Sequence, residues 1–276
     1  MNLKEVDKNS REYQVWRQEQ YIKEISAEDP KIKKSIEYYE SDGMKLSIQM
    51  ALPNKEKYPG KRPAVLFFFG GGFHIGTPDI FKQVIEMLAN QGFAALSADY
   101  RIHIYHDTTP EDSIRDGAAC WKYVHENAEK WNIDPDKFVL SGGSAGAVIA
   151  SLCEPMTGIM PAGLAFFYPG FLNKDMGPER LAGITGTEAN GITVTNPGTV
   201  HPDLPPTLIL HGEKDPIVPL ENINQYTEAL KENNVWCKYI TFPDAGHGFM
   251  NYNKDRAYVY ICVGELLLFM KKIETE

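Results

Sequence analysis

The sequence predicts an α/β protein: a mostly parallel sheet with helices on both faces and an antiparallel hairpin at its N-terminal end. Three observations predict it. Continuous apolar runs recur at Ala64 to Phe69, Phe93 to Ala98, Phe138 to Leu140, Leu164 to Tyr168, Thr207 to Leu210 and Trp236 to Phe242. Segments of helical character lie between them, near 78–91, 110–130, 144–153, 219–234 and 254–272. Strands apolar on successive residues are buried on both faces, and their alternation with helices builds a parallel sheet. The third observation is Asp42-Gly43, a hairpin turn signal between Ile36-Glu37-Tyr38-Tyr39-Glu40 and Lys45 to Ala51. The second of those runs alternates polar and apolar, as an antiparallel strand with one wet face does. Together these elements make a sheet of about eight strands.

A chain of 276 residues fits one large domain better than two small ones. Residues 1–34 are polar and charged, and read as an N-terminal helical extension ending near Pro30, with Tyr13, Trp16, Gln20 and Ile25 as a sparse stripe. Residues 35–276 read as the single α/β domain. Within it, 169–205 is rich in Gly, Pro, Thr and Asn and lacks periodicity, which predicts a functional loop or small lid.

Composition narrows the partners. At 43% hydrophobic and 24% charged the chain resembles an ordinary soluble protein. A net charge of -9 argues against nucleic acid or an anionic membrane as the main partner. The four cysteines are widely spaced, with no C-x-x-C pair, as expected of reduced thiols. No apolar stretch approaches the ~18 residues of a membrane helix. The N-terminus lacks a signal-peptide design. A cytoplasmic monomer or homodimer is the expectation, provided no leader has been removed.

The chemistry-bearing pattern is Gly142-Gly143-Ser144-Ala145-Gly146, placed between an apolar run and a helix start. In G-x-S-x-G at such a junction, the turn lifts a strained serine clear of the sheet edge, and glycines keep side chains from colliding with the neighbouring strand and helix. Ser144 is the expected nucleophile. By itself the motif also fits a Gly-rich turn without chemistry.

Two further loops follow apolar runs. Leu210-His211-Gly212-Glu213-Lys214-Asp215-Pro216 brings a carboxylate to the carboxyl end of a strand, where sites assemble in parallel sheets. Asp215 is the candidate for orienting a histidine; an Asp before Pro216 is also an ordinary turn. Pro243-Asp244-Ala245-Gly246-His247-Gly248-Phe249 presents His247 between two glycines. A lone loop histidine is usually inert. The order Ser144, Asp215, His247, each after its own candidate strand, is the triad order of α/β-hydrolases.

Phe69-Gly70-Gly71-Gly72-Phe73-His74-Ile75-Gly76 follows the strongest apolar run. Consecutive glycines let backbone N–H groups face a developing oxyanion. A dinucleotide loop with Asp99 on the ribose is the rival reading, but Ile75 stands where G-x-G-x-x-G requires glycine. Asp99-Tyr100-Arg101 reads as an ion-paired brace. His103-Ile104-Tyr105-His106-Asp107 has a metal-like spacing, but Thr108-Thr109-Pro110 makes it a loop and no ligand set accompanies it. No cofactor and no metal are expected.

Over roughly residues 60–272 these elements resemble the α/β-hydrolase fold of hormone-sensitive-lipase-like and carbohydrate-esterase-like serine esterases. The family's glycine loop reads H-G-G-G-aromatic; here Phe69 replaces the histidine, so a polar anchor for the loop is missing. The resemblance implies oxyanion donors at the N–H groups of Gly71, Gly72 and Ala145. It implies a catalytic triad of Ser144, Asp215 and His247; Phe73, His74, His106 and Phe249 are the candidate substrate contacts. It also implies hydrolysis of a small-molecule ester through an acyl-enzyme.

A short, polar lid region favours a small acyl group such as acetyl. Gly76-Thr77-Pro78 and Thr108-Thr109-Pro110 resemble segments of carbohydrate esterases, so sugar acetates are the expected substrate class. A prolyl-oligopeptidase-like peptidase and a non-catalytic hydrolase-fold binding protein are the alternatives.

Overall fold

The computed structural model describes residues 10, 13, 15, 16, 19, 20, 34–41, 44–171, 200–252 and 255–275. Its strands are β1 (Lys34–Ser41), β2 (Met44–Ala51), β3 (Arg62–Phe68), β4 (Ala94–Ala98), β5 (Ile133–Gly143), β6 (Gly163–Phe167), β7 (Thr207–Gly212) and β8 (Cys237–Phe242). They form one eight-stranded sheet in the order β1-β2-β4-β3-β5-β6-β7-β8. β1 pairs antiparallel with β2, and β2 antiparallel with β4. Every other pairing is parallel. Each residue of β4, β6 and β7 is buried, which is why those segments are apolar apart from Ser97, Thr207 and His211. β2 starts with the alternation expected of a strand with one wet face.

The helices are α1 (Lys82–Asn90), α2 (His103–His106), α3 (Pro110–Asn127), α4 (Ala145–Thr157), α5 (Leu220–Glu232) and α6 (Arg256–Thr275). Neighbouring side chains of β3 point to opposite faces. Phe67 stacks on Phe81, just ahead of α1, while Phe68 lies against Gly117 of α3. The sheet is therefore covered on both faces. Thr77 caps the 3-10 turn Pro78–Phe81, and Thr109 caps α3 with a full capping box closed by Asp112. Both Thr-Pro pairs thus begin helices, with Pro in the first turn where its missing N–H costs nothing.

Two local expectations are corrected. Residues 103–106 are a one-turn helix, not a loop: His106 N–H donates to Ile102 O (3.0 Å), Asp107 N–H donates to His103 O (2.8 Å), and Asp107 closes the turn at φ 54°. The Thr-Thr-Pro breaker acts only after that turn is complete. The elbow helix begins at Ala145, with Ser144 outside it as the cap residue.

Tyr13, Val15, Trp16, Glu19 and Gln20 are helical. Tyr13 and Trp16 are in ring contact, and Val15 packs against the core. Within the expected 1–34 extension, Ser10 Oγ accepts from Tyr13 N–H and Lys34 belongs to strand β1; its other residues, Asp42-Gly43 and most of the expected 169–205 lid lie outside the described residues. Among the described residues no helix is long and apolar enough to cross a membrane. All four cysteines are free thiols.

Candidate active site

Every element of the site lies at the carboxyl ends of β3, β5, β7 and β8. At the end of β5, Ser144 adopts φ 52°, ψ -120°, a backbone conformation that side-chain-bearing residues rarely adopt. Packing enforces it. A Cβ on Gly142 would lie 2.3 Å from the carbonyl carbon of Gly146, and one on Gly146 would lie 2.0 Å from Phe68 O. The turn is also tied down by hydrogen bonds from Ser144 N–H to Phe167 O (3.1 Å) and from Gly170 N–H to Ser144 O (3.0 Å).

The carboxylate and the imidazole come from the last two strands. Glu213 N–H donates to Phe242 O (3.0 Å) and Lys214 N–H to Ala245 O (3.0 Å), so the loops after β7 and β8 are zipped together. Asp215 Oδ1 accepts from the N–H groups of Ile217 and Val218, both at 2.9 Å. With its proton on Nδ1, His247 donates to Asp215 Oδ2 (2.7 Å) and accepts from Ser144 Oγ at Nε2 (2.8 Å). The Asp215 side chain is wholly buried, while His247 retains 15% exposure. Burial pushes the Asp215 carboxyl up; the hydrogen bond and charge of His247 and the two backbone N–H groups outweigh it and hold it below the ordinary carboxylate range.

The glycine loop coils beside the serine. Gly71, Gly72 and Phe73 take φ values of 134°, 62° and 61°. Gly71 O accepts from His74 and Ile75 N–H, both at 3.1 Å, and a Cβ on Gly71 would lie 1.9 Å from Ile75 O. The loop touches the elbow, since a Cβ on Gly70 would sit 3.1 Å from Ser144 Cβ. Ala145 is the first residue of α4, where N–H groups have no acceptor within the helix.

The anchor lost with Phe69 has a replacement. Its ring stacks on Tyr100 at 3.9 Å between centroids, and Tyr100 Oη donates to Phe69 O (2.6 Å). The brace is therefore Tyr100 together with an Arg101–Asp116 pair. Arg101 Nε and Nη2 each donate to the buried Asp116 carboxylate at 2.8 Å, tying the end of β4 to α3. Breaking such a buried pair on one side typically costs about 3–5 kcal/mol. Asp116 lies fifteen positions beyond Arg101 and carries no motif, so only the fold reveals it.

The expected substrate contacts each pack against neighbouring residues. Phe73 is 5% exposed, and its carbonyl accepts from His103 N–H (3.0 Å). The His74 and His103 rings stack at 5.2 Å. His106 Nδ1 accepts from Ile102 N–H (3.0 Å), and burial holds that imidazole below its usual range. Phe249 packs among Tyr168, Phe242 and Tyr258.

His211 adds a second imidazole behind Asp215. It is fully buried, its Nε2 donates to Val218 O (3.1 Å), and the same nitrogen lies 3.8 Å from Asp215 Oδ2. Burial keeps it neutral, holding its pKa below the usual histidine range against the pull of Asp215.

Comparison with known proteins places this geometry. Residues 48–158 match the BD-FAE family model, and residues 191–265 match the prolyl oligopeptidase family. The chain also superposes on a thermophilic esterase, Est2 of Thermogutta terrifontis, solved with propionate bound. The TM-score is 0.77 at 29% sequence identity, over 90% of this chain and 96% of that one.

The chain has the α/β-hydrolase fold.

Among curated relatives, the chain is 30% identical to esterase LipQ of Mycobacterium tuberculosis over 69% of its own length and 51% of LipQ. It is 26% identical to an acetylxylan esterase of Xylanibacter ruminicola over 65% of its length and 39% of that protein. The chain thus spans about half the length, or less, of these curated relatives.

Proposed function

We propose that this hydrolase is a serine carboxylesterase acting on short-acyl esters, with sugar acetates as the substrate class. The observation that carries the reading is the continuous line Ser144 Oγ, His247 Nε2, His247 Nδ1, Asp215 Oδ2, with links of 2.8 and 2.7 Å. His247 takes the Ser144 proton as Oγ attacks the ester carbonyl. Asp215 fixes the tautomer and stabilises the imidazolium. The N–H groups of Gly71, Gly72 and Ala145 receive the oxyanion; losing one such donor typically lowers turnover about 10²–10³-fold. The imidazolium then protonates the departing alcohol, and water, activated by the same histidine, releases the acid. No step calls for a cofactor.

A short acyl chain is favoured by the Thermogutta neighbours solved with propionate and butyrate, and a carbohydrate alcohol by the acetylxylan esterase relative. One observation favours a second reading, a peptidase of the prolyl-oligopeptidase type: the match over 191–265, together with 26% identity to an acylamino-acid-releasing enzyme of Arabidopsis thaliana.

Hydrolysis of p-nitrophenyl acetate by the wild type and Ser144→Ala tests the reading. The expected loss of kcat is on the order of 10⁶. Equal, slow rates for the two proteins would sink it. Acetylated xylo-oligosaccharides and acyl-peptide anilides, assayed in parallel, separate the carbohydrate reading from the peptidase one.

A further inference from the structure

One buried ring beside the site has no part in the acyl-transfer scheme. Tyr168 follows β6 directly, is 4% exposed and holds φ at 36°, where a bulky residue is a rarity. Its N–H donates to Leu210 O (2.7 Å), which fixes its backbone to β7. Its ring meets the His247 imidazole edge-on, at 5.2 Å between centroids and 70° between planes, and meets Phe249 at 5.5 Å and 66°. The far end of the same ring reaches the nucleophile turn. A Cβ on Gly143 would lie 2.6 Å from Tyr168 Oη and 2.8 Å from Cζ, and the three nearest atoms to it all belong to Tyr168. Gly143 has no positive φ, so its backbone does not ask for glycine. The Tyr168 ring does.

The consequence lies in how an imidazole is held. The Asp215 bond fixes His247 at Nδ1 but leaves the ring free to swing about that bond. Nε2 stays on Ser144 Oγ only if a wall stops the swing. Aromatic pairs at these separations prefer edge-to-face geometry, so Tyr168 supplies a wall with a preferred angle. Strain of the Tyr168 kind persists where its surroundings over-determine it, and such residues cluster at functional sites.

We propose that Tyr168 is a positioning residue: wedged against Gly143, its ring sets the plane of His247 and couples the nucleophile turn to the histidine loop. The proposal rests on the esterase reading for its kinetic consequence, but not for its structural one.

The experiment uses the full chain in five variants: Tyr168→Leu, Tyr168→Phe, Gly143→Ala and the double variants Gly143→Ala/Tyr168→Leu and Gly143→Ala/Tyr168→Phe. Active sites are counted by phosphorylation with paraoxon, the agent found on the Thermogutta neighbour, so that kcat is expressed per competent site. Misplacing a catalytic group by about 1 Å costs up to about 10²-fold. Tyr168→Leu is therefore expected to lower kcat per titrated site about 10–100-fold, with KM changed less than about threefold. Tyr168→Phe keeps the ring and is expected to recover most of that loss. Gly143→Ala is expected to lower kcat in the wild-type background and to cost nothing further beside Tyr168→Leu, which removes the atoms it strikes.

A purely structural role would lower the melting temperature and the number of titratable sites, yet leave kcat per site and the double-variant coupling unmoved. Unchanged kcat per site in Tyr168→Leu, or equal cost of Gly143→Ala in both backgrounds, overturns the proposal. Should Tyr168→Leu not fold, Gly143→Ala decides: a folded, fully active Gly143→Ala overturns it, and a loss partly restored by Tyr168→Phe upholds it. NMR titration of the His247 imidazole needs no turnover. If the wild type neither hydrolyses esters nor reacts with paraoxon, the esterase reading fails, while a His247 titration that moves between wild type and Tyr168→Leu still upholds the positioning role and one that does not overturns it.

Discussion

The two halves of the site are held by different forces. The nucleophile turn is held by excluded volume: Gly142, Gly146 and Gly71 each lie where a Cβ would come within 2.3 Å of backbone atoms. The acid and base loops add hydrogen bonds to a single close approach: a Cβ on Gly212 would lie 2.3 Å from Ala245 O, and beyond it the loops are joined by the backbone zipper between residues 213–214 and 242–245 and the two N–H groups on Asp215. A Cβ on Gly246, beside His247, would make only an ordinary contact, with Lys214 O at 3.5 Å. Gly248 is the glycine of that loop with a backbone reason, at φ 71°. Steric walls tolerate no change but fix a strained serine. Hydrogen bonds allow small adjustments, which His247 needs if it takes and returns a proton as proposed.

Substitutions can break this contrast. Gly146→Ala should have the largest effect, because its methyl would meet Phe68 O at 2.0 Å, a rigid strand end. The expected outcome is loss of the folded, paraoxon-reactive protein, read by thermal melting and active-site titration; a stable, active variant would refute the excluded-volume account. Asp215→Asn keeps the shape and reverses the hydrogen-bond sense at His247. It should lower kcat by about 10³–10⁴ with the fold intact, as checked by steady-state kinetics beside circular dichroism. Gly246→Ala should change kcat less than about threefold, since 3.5 Å is ordinary contact; a loss comparable with Asp215→Asn would show that the base loop is held sterically after all.

The smallest expected effect concerns stability and not rate. Burial pushes the Asp99 carboxyl up to about 7, against the Tyr100 N–H that bonds it, with Asp79 and Asp116 adding like charge. A carboxyl raised in the folded state binds its proton more tightly there than in the unfolded chain. Its stabilising contribution is complete below the unfolded value of about 4 and is lost as pH rises through about 7. Asp99→Asn should flatten the fall of melting temperature across that window and leave kcat within about twofold. Parallel melting curves for the two proteins would refute the assignment.

Much of this is legible in the amino-acid sequence. Continuous apolar runs gave away the parallel strands because a strand buried on both faces has no polar side to alternate with. Ser144, Asp215 and His247 could be picked out because each follows a strand and sits among turn residues. The bracing residues were less visible. Asp116 looks like any helical carboxylate until the fold brings it under Arg101, and the short turn at 103–106 hides behind the Thr-Pro cap of the next helix. Gly143 reads as an indifferent position of the motif, and Tyr168 as the end of an apolar run, until each is seen to occupy the other's space.

What the sequence determined by itself is therefore local and periodic: strand and helix order, the glycines of the elbow, and the triad candidates with their spacing. Those follow from backbone sterics and from the repeat of buried positions, which any stretch of chain carries within a few residues. Tertiary structure alone decided which side chains share a volume. The 2.8 Å Ser144–His247 contact spans 103 residues, and the Tyr100 bond that replaces the missing anchor spans 31. Such pairings depend on how strands order themselves in the sheet, which no single segment encodes.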